Sequence, residues 1–189
     1  MNDRLANLLG ATALNVADLT LTEVRGAAGT SGSASAALVA LAEAPNLAVT
    51  ELGRRIGLSQ PAAARMVDGL EGRGLVTRQP GSGRSVAVRL TLTGRRAGGR
   101  LLERRQDVLR QLVADLDAGE QAVLAALLEK VLRGVHGRIE HETQTPRDHI
   151  GELVCRLCDR GACRQGGASC PVSVAQRVLD GSQGNACEP

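Results

Sequence analysis

None of the 189 residues is phenylalanine, tyrosine or tryptophan. Stacking of bases on aromatic rings, the usual hold on single-stranded nucleic acid, is therefore closed to this chain. Its core must come from Leu, Val and Ala, side chains that contribute about 3 kcal/mol or less each when fully buried. No run of 18 apolar residues occurs, and the N-terminus lacks the basic-then-apolar pattern of a secretory signal, which predicts a cytoplasmic protein with no membrane partner. A Ser/His/Asp constellation, a phosphate loop and a helix of paired carboxylates are all missing, and the chain reads as no enzyme. Cysteine is absent from residues 1–154. What is present is a globular composition, 43% apolar, with a net charge of only +3.

Turn residues and apolar spacing organise residues 50–94. Thr50 is a good N-cap, Glu51 suits the positive end of a helix dipole, and Leu52 and Ile56 fall four apart before Gly57 stops the helix. The pattern restarts at once with Ser59 as N-cap, Pro61 in the first turn, and Ala63, Met66, Val67 and Leu70 on one face up to Gly74. Two helices joined by so short a Gly-containing turn form a helix-turn-helix, about residues 50–74. A hairpin of about residues 75–92 follows: Leu75 to Arg78, a Pro80-Gly81-Ser82-Gly83 turn, then alternating Val86, Val88, Leu90 and Leu92 with Arg89 on the other face.

Charge concentrates on this stretch. Residues 50–100 hold ten arginines (54, 55, 65, 73, 78, 84, 89, 95, 96 and 100) against three acids, Glu51, Asp68 and Glu71. Neutralising the phosphates of duplex DNA needs such a local excess. Exposed arginines that merely solvate a face are the plainer reading, and the coincidence of charge, turn chemistry and periodicity argues against it.

The order helix, helix-turn-helix, wing, long helices, and the string from Leu58-Ser59-Gln60-Pro61 through Ala64-Arg65-Met66-Val67 to Gly74-Leu75-Val76-Thr77-Arg78, resemble the MarR family of winged-helix transcriptional regulators over roughly residues 1–140. The resemblance implies a homodimer, one recognition helix per subunit in successive major grooves, and wings reaching flanking minor grooves. Ser59, Gln60, Pro61, Ala62 and Arg65 then fall at the exposed start of the recognition helix and Arg84 at the wing tip, with Arg78 and Arg95 as further DNA contacts. The family often has a hydroxyl residue where this chain has Ala64, and an Asp-Arg pair in a longer wing where it has Gly83-Arg84. A small-molecule effector is left open.

The fold class expected is mainly α with a small β-wing, a winged helix-turn-helix with a helical dimerisation layer. Leu5, Leu8, Leu9, Val16 and Leu19 recur at helical spacing before a Gly/Ser/Ala-rich break at residues 26–35 and a helix of about residues 36–43. Thr93 is expected to cap a helix carrying Leu101 to Leu116. Another begins after Asp117 with a broad stripe of Val123, Leu124, Leu127, Leu128, Val131, Leu132 and Val135. Periodicity reads these stripes equally as a dimer layer or as monomer core.

Residues 141–189 form a linker and a cysteine-rich extension, with all five cysteines of the chain. Cys155, Cys158, Cys163 and Cys170 follow C-x2-C-x4-C-x6-C, with glycines between them that allow tight folding. In a reducing compartment this spacing points to metal or redox chemistry, with these four as candidate ligands. Zinc and an iron-sulfur cluster both want four such donors, and a metal-free thiol switch stands beside them. Cys187 is a spare or resolving thiol, and His136, His141 and His149 are read as surface or core residues. The overall expectation is a homodimeric, sequence-specific duplex-DNA regulator, metal- or redox-responsive through these cysteines. Its alternatives are a winged-helix protein-interaction module and a thiol oxidoreductase using Cys155 and Cys158. The latter is disfavoured because the chain lacks a βαβ surround.

Overall fold

An acid in the first turn and a base in the last, Asp3 and Arg25, complement the dipole of the opening helix, α1 (Asp3–Ala28). The computed structural model describes residues 3–81, 86–142 and 147–179. The glycine at 26 does not end α1 as the composition suggests; the chain turns at Gly29, whose φ of 58° suits a residue without Cβ. Ser31 then caps α2 (Gly32–Glu43), its hydroxyl accepting from the Ala34 amide at 3.3 Å, so this helix starts earlier than expected. Ser35 is fully buried, its hydroxyl 2.8 Å from that of Thr30.

A two-residue strand, β1 (Leu47–Ala48), precedes α3 (Val49–Arg55) and α4 (Gln60–Gly72). Because β1 pairs with the wing, α3 begins just before Thr50, with Ala48 rather than Thr50 at the N-cap. The wing comprises β2 (Val76–Pro80) and β3 (Val86–Leu90), and the antiparallel order is β1-β3-β2. The inward residues of β3 are Ala87 and Val88; Val86 is exposed, and Leu92 belongs to the next helix. That helix, α5 (Leu92–Leu112), is capped by Thr91 instead of Thr93. The Thr91 Oγ1 accepts from the Gly94 amide at 2.9 Å and donates to the Gly74 carbonyl at 2.7 Å, pinning the start of α5 to the end of α4.

Asp117 and Glu120 form a reciprocal cap on α6 (Ala118–Glu142), each side chain accepting from the other's backbone amide at 2.9 Å. The extension is helical where described: α7 (Arg147–Val154), α8 (Arg160–Cys163) and α9 (Pro171–Leu179). The main core joins Ala36, Ala37, Leu38 and Leu41 of α2 to Leu52, Ile56, Val67, Leu70, Leu75, Val76, Val88 and Ala97. A second cluster sets Val24 and Val39 against Leu101. The architecture is mainly helical with a small antiparallel sheet, a winged helix, as the sequence predicts. Among the described residues no helix is long and apolar enough to cross a membrane.

Candidate nucleic-acid interface

The crossing of α3 and α4 depends on a missing side chain. A β-carbon on Gly53 would stand 2.8 Å from that of Ala63 and 3.2 Å from the Leu58 carbonyl oxygen. Leu58 donates its amide to the Gly53 carbonyl at 2.8 Å, which closes the turn between the helices. In α4 the residues Ala63, Val67 and Leu70 face the core. The opposite face leaves Ser59, Gln60, Pro61 and Arg65 exposed and Ala62 half-buried. Ser59 occupies the N-cap position without a side-chain cap bond, so the first-turn amides of α4 stay open to solvent or a ligand.

The arginines divide into two groups. Arg78 is ion-paired within the fold, to Asp68 at 2.7 Å and to Glu71, whose carboxylate also accepts the Arg78 amide at 2.9 Å. These contacts, led by the backbone hydrogen bond, hold the Glu71 carboxyl below its ordinary value. Arg54 and Arg55 both pair with Glu51, Arg73 donates to the Gly29 carbonyl at 2.8 Å, and Arg89 donates to Gln79 across the wing at 3.0 Å. Arg95 is exposed and reaches the Leu90 carbonyl at 3.2 Å. Arg65, Arg96 and Arg100 are exposed with no ion-pair partner among the described residues. Arg84 lies outside the described residues.

The four described cysteines lie in the extension, whose helix α7 packs against α3. Cys155 follows the last turn of α7, and Cys158 donates its amide to the Cys155 carbonyl at 2.9 Å. Cys170 immediately precedes α9, and its carbonyl accepts the first helical bond, from Val174, at 3.0 Å. Cys155, Cys158 and Cys170 are half-buried, while Cys163 is exposed. Cys155 is pushed far up by hydrogen bonding with Cys158 and Cys170 and by burial. Cys158 is lowered to about 7, first by the Cys155 hydrogen bond and also by the Arg105 charge. Cys170 is lowered to about 4, first by Cys155 and further by hydrogen bonds from Ser173 and the Val172 amide. Among the described residues no group of three or more His, Cys, Asp or Glu side chains is arranged to hold a metal ion. Arg105 was missed in the sequence because some fifty residues separate it from the thiols and only the docking of α5 brings it near.

This thiol segment is docked on the helix-turn-helix. Glu152 of α7 pairs with Arg55 of α3 at 3.0 Å. Leu153 lies over Gly57, so close that a β-carbon there would meet its Cδ1 at 3.0 Å. Leu157 packs against both core clusters, and Arg160 pairs with Glu43 of α2 at 2.8 Å. Burial raises the Glu43 carboxyl despite that partner. His136 of α6 is fully buried, its Nε2 2.9 Å from Oε1 of Gln176 in α9.

Comparison with known proteins supplies the relationship. Residues 28–85 match the model of the MarR family. A MarR family protein from Bacillus stearothermophilus shares the fold at a TM-score of 0.63 and 27% identity, over 71% of this chain and 98% of that one. Wild-type MarR from E. coli, in its apo form, gives 0.55 and 27% over 66% and 96%. YusO from Bacillus subtilis gives 0.61 at 22% over 69% and 96%, a likeness of fold. No match was found among curated proteins. Residues 28–85 thus carry a winged helix of the MarR family, and the helix-turn-helix, wing and flanking helices are arranged as in these MarR structures.

Proposed function

We propose that this protein is a homodimeric regulator that reads operator sequence with the start of α4 and anchors on phosphates with arginines of α5 and the wing. The observation that carries this reading is the solvent-facing first turn of α4, where Ser59, Gln60, Pro61 and Arg65 project from a helix whose other face is locked into the core. A helix so presented fits the major groove, where Arg and Gln side chains discriminate base pairs. Arg78 has no part in it, since its charge is met by Asp68 and Glu71. Its role is to brace β2 against α4.

Dimerisation rests on apolar surface. Leu5, Leu8, Leu9, Leu14 and Leu19 of α1 and Val123, Leu127, Leu128, Val131 and Val135 of α6 are each at least 42% exposed. Exposed leucines and valines repeating along two long helices exceed what an isolated surface carries singly. Two-fold pairing of these helices would place two α4 helices one DNA turn apart, reading half-sites about 10 bp from centre to centre.

Selection from a random duplex library followed by binding at stepped salt concentrations tests the reading. The expected result is an enriched inverted repeat, bound tightly by a dimer, with affinity falling steeply as salt rises. Equal affinity for selected and random duplex, or binding by a monomer, would refute it.

A further inference from the structure

The extension joins α6, which carries much of the exposed apolar stripe, to the helix-turn-helix of the same chain. Among the described residues α6 packs along α7 and α9, and along no other element to a comparable extent. His136 of α6, fully buried, meets Gln176 of α9 at 2.9 Å. Val172 of α9 is buried against Gly151 of α7, where a β-carbon would stand 3.4 Å from its Cγ1. α7 in turn packs on α3. Its last turn holds the helix-turn-helix at two points, Glu152 on Arg55 at 3.0 Å and Leu153 over Gly57. The chain just beyond adds Leu157 against both core clusters and Arg160 on Glu43 at 2.8 Å. The covalent link from α5 to α6 is the short turn of residues 113–117. From this path we infer that α7 is a strut between the pairing helix and the reading helices, with Glu152 and Leu153 as positioning residues that set which half-site spacing the dimer accepts.

The inference rests on the dimer and the half-site reading proposed above. Two bodies joined by a short turn swing relative to one another unless a packed interface stops them. In a two-fold dimer α6 belongs with the partner while α4 lies in the groove, so the angle between them fixes how far apart the two α4 helices stand. A duplex measures that separation in steps, since one base pair moves a half-site by about 3.4 Å and turns it by about 35°. A dimer with a free hinge follows such a step at little cost. With the strut seated, the Arg55–Glu152 pair must break or Leu153 must lift off the turn.

Gly57 makes the seat. With a φ of 72° and Leu153 against it, a side chain there would both strain the backbone and push α7 away. The strut therefore acts on selectivity for spacing and leaves the base contacts of α4 alone.

The test uses the full chain, its thiols reduced, with three kinds of duplex: the inverted repeat it selects, that repeat with one base pair added to or removed from its centre, and a single half-site. Wild type should bind the altered repeats roughly 100-fold more weakly, the avidity lost when both half-sites cannot be engaged together. Glu152→Gln with Leu153→Ala should narrow that gap by roughly 5-fold or more, with affinity for the single half-site unchanged. That unchanged affinity and a circular dichroism spectrum matching wild type establish that the variant is folded. Glu152→Gln alone, which keeps the shape of the side chain and removes its charge, should narrow the gap by less, and it decides the matter if the double variant does not fold. An unaltered spacing penalty in the folded variant would overturn the strut. So would an equal loss of affinity for the single half-site and the whole repeat, which would make α7 part of the DNA-reading surface. A wild type that accepts all spacings equally would overturn the strut and leave the half-site reading standing, whereas a wild type that selects no repeat would overturn both.

Discussion

Glu71 sets the behaviour of the wing at low pH. Its carboxyl is held below the ordinary 4.5 by the Arg78 amide and guanidinium. A group lowered on folding adds stability above its unfolded value, and that contribution is lost as pH falls through the lower, folded value. Glu71→Gln should therefore lower the urea midpoint at pH 6 and converge on wild type once the solution is more acidic than the folded carboxyl. A constant gap across the whole range would contradict the pairing. The same scale separates reading from bracing on α4. Gln60→Ala or Arg65→Ala should lose roughly 1 to 3 kcal/mol of discrimination at particular base pairs, while Arg95→Ala should weaken all duplexes alike and flatten the salt slope. Uniform loss from all three, measured on a panel of single-base operator variants, would move the recognition surface elsewhere.

At the scale of elements, Gly53 fixes the angle between α3 and α4. Gly53→Ala puts a methyl group 2.8 Å from the Ala63 β-carbon and 3.2 Å from the Leu58 carbonyl, neither of which is a flexible side-chain end. The two helices must part, at a cost of about 1 to 3 kcal/mol. Thermal unfolding should show the loss, and duplex affinity should drop further than stability alone requires. Unchanged affinity would mean that the crossing angle does not govern DNA contact. Much of this region was legible beforehand, because Gly57, Ser59, Pro61 and Gly74 act through local backbone rules that sequence states directly. β1 was not legible, since two residues carry no alternation and exist as a strand only through β3. The cap at Thr91 was mistaken for one at Thr93 because the two threonines lie two residues apart at the same helix start; the Gly74 carbonyl, supplied by tertiary folding, decides between them. Charge counting likewise identified ten arginines without telling which would be consumed at home, as Arg78 is.

For the whole molecule, the apolar stripes left ambiguous by periodicity are exposed on α1 and on much of α6. Leu127→Glu with Val131→Glu should yield a monomer in sedimentation and reduce affinity for a two-half-site duplex to that of a single half-site. A dimer that persists would assign these faces another purpose. The extension was legible as a cysteine cluster but not as a brace, because its grip on α3 and α2 comes from Glu152, Leu153 and Arg160, residues with no motif around them.

That brace is made late. Arg55 leaves the ribosome about a hundred residues before Glu152 does, a delay of roughly 5 to 20 s at ordinary rates of synthesis. The main core of the winged helix draws nearly all its side chains from residues 34–97, so it closes while the chain that will restrain it is still being made. Every nascent molecule thus passes through an interval with an assembled winged helix and no brace on α3. A chain whose synthesis halts within that interval would carry a folded winged helix into the cell with Arg55 and the Gly57 turn uncovered.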